Sequence, residues 1–131
     1  MSGPRVAILT LGCKVNAYDS AAIGDRLVSA GCRLVDLDEG ADVVVVNSCT
    51  VTDAADAESR RLARRARRSN PAARVVLTGC YAQTQPEDAA AAPGVDHVVG
   101  LNRLEALVEA VVAPARVPRV VVGNSRRDAR P

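Results

Sequence analysis

The sequence has very few aromatic side chains. Of its 131 residues, two are tyrosine and none is tryptophan or phenylalanine. It also has no apolar run that approaches the roughly 18 residues of a membrane span, and its first residues, Met-Ser-Gly-Pro-Arg, contain no apolar signal core. These absences argue against a membrane protein or a secreted protein, and we expect a cytoplasmic one.

Several common signatures are missing as well. The sequence contains no phosphate-binding loop, no dinucleotide-binding fingerprint and no internal repeat. Its formal net charge of +2 is too small to indicate a partner. What is present is an apolar fraction of 48%, mostly Ala and Val, in a chain of single-domain length. Such a composition favours buried parallel strands covered by helices with small side chains.

Short apolar runs alternate with helical patterns along the chain. Strands are predicted at residues 5–11, 32–37, 41–47, 74–78 and 95–99, with a weaker one at 120–122. Helices are predicted between Asn16 and Gly31, over 53–69, from Pro86, and from Asn102 to about 112. The alternation predicts a mainly parallel α/β sheet, which we interpret as a three-layer flavodoxin-like or Rossmann-like fold with the strand order 2-1-3-4-5. We expect one domain over residues 1–113, followed by a weak strand and a disordered tail over 114–131.

Three of the four cysteines follow predicted strands. Cys13, Cys49 and Cys80 each stand one or two residues beyond the carboxyl end of a strand. Loops at that edge of an open α/β sheet converge where ligands bind, so the three thiols can meet although they are far apart in sequence. A glycine precedes both Cys13 and Cys80, where it allows a tight backbone turn and leaves room for a bulky group.

Three thiolates on converging loops suit a soft metal centre, either an iron–sulfur cluster or zinc. Structural zinc sites usually have four ligands in paired CxxC spacing, and the single histidine, His97, falls in the predicted fifth strand. The alternative is that the three cysteines are small buried residues in tight turns. Cys32 follows a helix-ending glycine at the other end of the sheet, and we interpret it as core packing. The residues alone indicate a soft-metal site on an α/β scaffold.

At these cysteines the chain resembles the N-terminal domain of the methylthiotransferase family, over about residues 5–112. The residues around the first cysteine, Leu11-Gly12-Cys13-Lys14-Val15-Asn16, are most similar to the branch that acts on threonylcarbamoyladenosine at position 37 of tRNA. The isopentenyladenosine branch has Phe-Gly-Cys-Gln-Met-Asn there, and the ribosomal-protein branch has Leu-Gly-Cys-Pro-Lys-Asn. The three motifs are Thr10-Leu11-Gly12-Cys13-Lys14-Val15-Asn16, Asn47-Ser48-Cys49-Thr50-Val51-Thr52 and Thr78-Gly79-Cys80-Tyr81-Ala82-Gln83.

The resemblance implies a radical-SAM enzyme with two [4Fe–4S] clusters. Three N-terminal cysteines of the family, matching Cys13, Cys49 and Cys80, hold an auxiliary cluster that carries or supplies the sulfur of the methylthio group. A central domain with a CxxxCxxC motif holds the second cluster and cleaves S-adenosylmethionine, and a C-terminal TRAM domain assists RNA binding. The sequence contains neither CxxxCxxC nor residues for those later domains. We therefore expect it to be catalytically incomplete alone and to work with them in cis or in trans.

Two alternatives to that function are a stand-alone, non-catalytic iron–sulfur or zinc module and a basic RNA-binding domain whose cysteines are structural. The second depends on a basic run in the helix after Cys49, which is either a solvated face or a surface that contacts tRNA phosphates. With so few aromatic residues, any RNA contact here would be mainly electrostatic. The run consists of Arg60, Arg61, Arg64, Arg65, Arg67 and Arg68.

Three polar residues stand close to the candidate ligands in sequence. Asn16 either caps a helix or donates hydrogen bonds to cluster sulfurs, and Asn47 either ends a strand or does the same. Lys14 is adjacent to Cys13, where it can stabilise a thiolate or an anionic cluster, or be an ordinary surface lysine.

Overall fold

The computed structural model describes residues 4–10, 14–48, 53–79, 82, 86–91, 94–100, 104–113 and 120–121. These residues form six strands, four α-helices and one turn of 3₁₀ helix. The strands are β1 (Arg5–Thr10), β2 (Arg33–Leu34), β3 (Val43–Ser48), β4 (Arg74–Gly79), β5 (His97–Val99) and β6 (Val120–Val121). The helices are α1 (Lys14–Ser29), α2 (Asp53–Ser69), α3 (Pro86–Ala91) and α4 (Leu104–Val112), and the 3₁₀ turn, η1, is Leu37–Glu39.

The strands form one sheet in the order β2-β1-β3-β4-β5-β6, and every neighbouring pair is parallel. This confirms the predicted α/β class and the flavodoxin-like order, with β2 at one edge as expected. The short strand β6 extends the order by one at the opposite edge. None of the helices in the described ranges is long and apolar enough to cross a membrane.

The sheet is buried on both faces, which gives the three layers. The four valines at the start of β3, Val43–Val46, are fully buried because successive side chains point to opposite faces and helices cover both. Val44 and Val46 belong to the core beneath α2 and α3. Val43 and Val45 belong to the core beneath α1 and α4. A run of β-branched residues without polar alternation is what such a central strand requires.

The second strand is shorter than predicted. Instead of a strand over residues 32–37, the chain pairs only through Arg33 and Leu34 and then turns into η1. The Asp36 backbone N–H donates to Glu39 Oε1 at 2.8 Å, and the Glu39 N–H donates to the Asp36 carbonyl at 2.9 Å. These local hydrogen bonds compete with sheet pairing and end the strand.

Two other boundaries differ from the prediction. The fifth strand begins at His97 rather than at residue 95, because the Asp96 carboxylate accepts the Val75 N–H at 2.8 Å where a strand carbonyl would do so. Helix α1 already begins at Lys14, so the prediction that Asn16 caps it is wrong. The predicted positions Leu11, Asn102 and Val122 lie outside the described residues, as does most of 114–131.

The amino edge of the sheet, where the strands begin, is closed by long charged side chains. The Arg5 backbone N–H donates to Asp42 Oδ2 at 3.0 Å, and the two side chains form an ion pair at 3.7 Å. Arg74 donates to the carbonyls of Ala110 and Val111 at 2.8 and 2.6 Å. Because those carbonyls belong to the last turn of α4, Arg74 supplies partners that the helix itself cannot provide.

Candidate site at the carboxyl edge of the sheet

The carboxyl ends of β1, β3 and β4 lie side by side. Thr10 is the register partner of Asn47, and Asn47 is the partner of Thr78. One residue further, Ser48 is paired with Gly79. These are the residues from which the sequence continues into the three cysteine motifs. The three strand ends therefore meet at one edge of the sheet, as the sequence predicted.

The candidate ligands themselves, Cys13, Cys49 and Cys80, lie outside the described residues. So do the side chains of Lys14 and Asn16, although both residues belong to the first turn of α1. Within the part of the chain that the structure describes, no three His, Cys, Asp or Glu side chains are grouped closely enough to hold a metal ion.

A small polar network joins two of the three strand ends. The hydroxyl of Ser20, in the second turn of α1, is 2.6 Å from the Thr10 hydroxyl. The side-chain amide of Asn47 donates to the same Ser20 oxygen at 3.0 Å. Ser20 thus connects β1, β3 and α1 at the carboxyl edge. Ser20 was not predicted as a site residue. Its position seven residues after Cys13 is the one feature of the sequence that could have indicated this role.

The third strand end is tied to the second by Ser48. Its hydroxyl donates to the carbonyl of Thr78 at 2.5 Å. Ser48 and Asn47 are both almost completely buried, at 0% and 1% exposure, so their polar groups need partners within the protein. Asn47 lies inside β3 rather than ending it, since the strand continues to Ser48.

Gly79 occupies a position that no other residue fits. Its φ of +98° is in the region that favours glycine, as the sequence analysis expected of the residue before Cys80. A Cβ atom built there would lie 2.4 Å from the Ser48 carbonyl oxygen and 2.7 Å from Asn47 Oδ1. The space beside Gly79 is therefore already filled by β3, so the expectation that this glycine leaves room for a bulky group is wrong. The glycine allows the two strand ends to approach each other closely.

Cys32 belongs to the core, as predicted. It is 5% exposed and packs in the cluster beneath α1 and α4. Its N–H donates to the Leu27 carbonyl at 2.9 Å, and the Gly31 N–H donates to that of Val28 at 3.0 Å. With Gly31 at φ +97°, these two bonds form a Schellman motif that ends α1. Burial raises the pKa of the Cys32 thiol, so the side chain stays neutral.

The arginines of α2 fall into two groups. Arg67 donates to the carbonyls of Pro71, Ala73 and Gly94 and forms an ion pair with Asp96. It is therefore part of the amino edge. Arg60 lies 3.3 Å from Asp88 of α3. The other four are exposed, and Arg61 among them pairs with Glu58 on the same helix. The remaining three are Arg64, Arg65 and Arg68.

His97 is the first residue of β5, in the fifth strand as the sequence predicted, and it is the register partner of Val76 in the middle of β4. Its half-buried side chain has a buried Nδ1 with no hydrogen-bond partner among the residues that the structure covers.

Comparison with known proteins gives the family. The sequence profile described as "Uncharacterized protein family UPF0004" matches residues 5–100. The threonylcarbamoyladenosine tRNA methylthiotransferase MtaB of Bacillus subtilis is 48% identical over 103 residues, which is 79% of this chain and 23% of the relative. MtaB of Aquifex aeolicus is 39% identical over 126 residues, 95% of this chain and 31% of the relative.

A relative with a different target also matches. The ribosomal protein uS12 methylthiotransferase RimO of Chloroflexus aurantiacus is 37% identical over 114 residues, 82% of this chain and 25% of the relative. The chain thus spans between a fifth and a third of the length of these curated relatives. With a family match over most of its length and relatives well above 30% identity, this chain belongs to the methylthiotransferase family and fits its MtaB branch.

Proposed function

We propose that this chain is the N-terminal domain of a tRNA methylthiotransferase, in which Cys13, Cys49 and Cys80 hold an auxiliary [4Fe–4S] cluster. That cluster carries or supplies the sulfur transferred to threonylcarbamoyladenosine at position 37 of tRNA. The domain covers residues 1–113, and the protein works in the cytoplasm.

One observation carries this proposal: the register of β1, β3 and β4 brings together the residues that precede all three cysteines. Ser48 and Gly79 are register partners in β3 and β4. Cys49 follows Ser48 directly, and Cys80 follows Gly79 directly. Neighbouring strands are about 4.8 Å apart, and consecutive Cα atoms are about 3.8 Å apart. Cys13 follows Thr10 by three residues, a reach of up to about 10 Å. The covalent chain therefore allows the three thiols to share one small inorganic group.

The chemistry of the donor set supports an iron–sulfur cluster over zinc. Three thiolates are soft ligands, and a [4Fe–4S] cluster with three protein ligands keeps one iron open to an outside ligand. A structural zinc site needs a fourth protein ligand. His97, the one histidine of the chain, begins β5 as the register partner of Val76, within the sheet rather than on a loop beyond the strand ends. Cys32 is buried at the amino edge, which leaves three thiols for the site.

Polar side chains next to the cysteines would orient the ligands. Asn47 is fixed by its hydrogen bond to Ser20, and it precedes Cys49 by two residues. We assign it to the shell of groups around the cluster sulfurs, together with Asn16 and Lys14. The positive charge of Lys14 would also favour an anionic cluster beside Cys13.

The remaining chemistry needs residues that this sequence does not contain. Its relatives are three to four times longer, and we propose that a radical-SAM domain, with S-adenosylmethionine and a second [4Fe–4S] cluster, and a TRAM domain act together with this one. This chain supplies the auxiliary cluster and the scaffold that holds it, and it contains no residue that we assign to catalysis.

The tRNA target is favoured over ribosomal protein uS12 by the similarity to MtaB. The identity to Bacillus subtilis MtaB is 48%, against 37% to Chloroflexus aurantiacus RimO. The first cysteine motif, with Lys14 and Val15 after Cys13, also resembles the threonylcarbamoyladenosine branch.

A pair of chimeras tests this function. In one, the matching part of this chain replaces the aligned 103 residues of Bacillus subtilis MtaB; in the other, it replaces the corresponding part of RimO. Mass spectrometry of tRNA nucleosides and of uS12, in strains lacking the parent enzyme, measures both products. We expect the MtaB chimera to restore the methylthiolated nucleoside and to lose it with Cys13→Ala, Cys49→Ala or Cys80→Ala, but not with Cys32→Ala. Restored uS12 modification with an inactive MtaB chimera would contradict the assigned target.

A further inference from the structure

The positive charge of this chain is concentrated in one stretch. Residues 58–69 contain six arginines and one glutamate, whereas the rest of the chain has more acidic than basic side chains. This stretch is the part of α2 that follows its first five residues. The small net charge of +2 for the whole chain therefore hides a strongly basic segment on one helix.

Two of the six arginines have structural roles that occupy their guanidinium groups. Arg67 makes three hydrogen bonds to backbone carbonyls besides its ion pair with Asp96. Arg60 reaches Asp88 on α3. Both side chains lie toward α3 and the loops of the amino edge, and about a third of each is exposed.

The other four arginines form an exposed stripe. At 100° per residue, Arg61, Arg64, Arg65 and Arg68 fall within an arc of roughly 100° on α2. The buried arc of the helix, with Ala63 and Ala66, faces the sheet. Arg61 is paired with Glu58, whereas Arg64, Arg65 and Arg68 form no ion pair with any residue in the described ranges.

The dimensions of this stripe suit a strand of nucleic acid. From residue 61 to residue 68 the helix rises roughly 10 Å, so the stripe can contact more than one phosphate along a strand. Arginine is well suited to phosphate, because its planar guanidinium donates two parallel hydrogen bonds. The acidic turn η1 contacts the same helix, but no ion pair joins it to the stripe within the described part of the chain.

We propose that Arg64, Arg65 and Arg68, aided by Arg61, bind the phosphate backbone of RNA, whereas Arg60 and Arg67 serve the fold. The identification of RNA as the polyanion rests on the proposed function. Helix α2 begins at the carboxyl edge with Asp53, and the stripe lies roughly 12 to 22 Å further along its axis. It therefore contacts nucleotides beside the one that reaches the cysteine motifs and positions the RNA without reading its bases.

Two triple variants of this chain, each with three fewer positive charges, test the proposal. The first is Arg64→Gln/Arg65→Gln/Arg68→Gln. The control, Arg5→Gln/Arg26→Gln/Arg33→Gln, removes the same number of arginines from β1, α1 and β2 and leaves α2 unchanged. Binding to an unmodified tRNA transcript is titrated at several KCl concentrations, and circular dichroism verifies that both variants are folded.

We expect the stripe variant to bind at least about tenfold more weakly and to reduce the slope of log affinity against log salt by about two. The control should stay within about twofold of the unmodified chain. Equal weakening by both variants, or no change in the first, would overturn the proposal. Equally effective competition by polyglutamate of matched charge would overturn the assignment to RNA.

The iron content of the stripe variant after anaerobic reconstitution separates this proposal from the proposed function. Iron binding should be unchanged, since the three arginines are distant from the cysteine motifs. Salt-dependent tRNA binding by a chain that takes up no iron would leave the stripe standing and refute the cluster. Iron binding without any loss of tRNA affinity in the stripe variant would support the cluster and refute the role of the stripe.

Discussion

The two edges of the sheet are built from different kinds of side chain. The amino edge is held by long charged groups that reach across loops, as in the pair Arg5–Asp42 and the contacts of Arg67 and Arg74. At the carboxyl edge, the described ends of β1, β3 and β4 consist of short polar residues and glycine, several of which are joined by hydrogen bonds. Ser20 and Ser48 are representative.

This difference indicates that the amino edge serves the stability of the fold, whereas the carboxyl edge serves the proposed function. Long side chains fill the space between loops and close the amino edge, where even the cysteine, Cys32, is buried. Short side chains hold the three strand ends together while occupying little volume beyond them. Strand ends that are tied together by short side chains are suited to carry a bound group on the loops that follow.

The largest loss of stability is expected from adding a side chain at Gly79, where the ends of β3 and β4 are in close contact. Gly79→Ala places a Cβ 2.4 Å from a backbone oxygen that cannot move away without displacing β3. The left-handed backbone adds strain, and together we expect a loss of about 3 kcal/mol in the free energy of unfolding. Urea denaturation measures it.

Gly31→Ala is the matched control for that variant. Gly31 has nearly the same φ, +97°, but nothing lies within 4 Å of the position of its Cβ. Only the backbone strain remains, so the expected loss is about 1 kcal/mol. Equal losses in the two variants would mean that the contact between Gly79 and Ser48 is unimportant.

A second comparison separates two arginines that are adjacent in sequence. Arg67→Met removes three hydrogen bonds to carbonyls and one ion pair at the amino edge. We expect a loss of about 2 kcal/mol, because part-buried acceptors lose charged donors. Arg68→Met changes an exposed side chain and should stay within about 0.5 kcal/mol. Thermal unfolding measures both, and similar stabilities would refute the structural role of Arg67.

The smallest effect on stability is expected at Ser20. Ser20→Ala removes the bridge between Thr10 and Asn47, which costs about 1 kcal/mol. If Ser20 positions the cysteine loops, the iron bound per folded chain should also fall. Ser29→Ala, at the exposed far end of the same helix, should change neither quantity. An unchanged iron content in folded Ser20→Ala would show that the bridge serves stability alone.

The fold could be predicted largely because its signals are local. The valine run of β3, the helix over 53–69 and the glycine at the end of α1 each depend on neighbouring residues. The parallel pairing of the strands followed from the alternation of strands and helices. The short β2 was missed because Asp36 and Glu39 bond to each other, and such local polar bonds are weak signals in a sequence.

The site was predictable in part for the same reason. The position of Cys32 in the core and the turn at Gly79 follow from the nearest residues in the chain. The roles of Ser20 and Arg67 do not, because each also depends on partners 27 residues away or more: Asn47 for Ser20, and Gly94 and Asp96 for Arg67. The sequence does not distinguish the six arginines of α2 from one another. Only the packing of the helix shows that Arg60 and Arg67 contact the fold and that the other four are exposed.

The central claim is that three cysteines at the carboxyl edge hold one iron–sulfur cluster. Anaerobic reconstitution with iron and sulfide, followed by counting both per folded chain, tests it most directly. The account predicts about four irons per chain, lost in Cys13→Ala, Cys49→Ala and Cys80→Ala and retained in Cys32→Ala. No stable iron in the unmodified chain, or equal loss in Cys32→Ala, would contradict it.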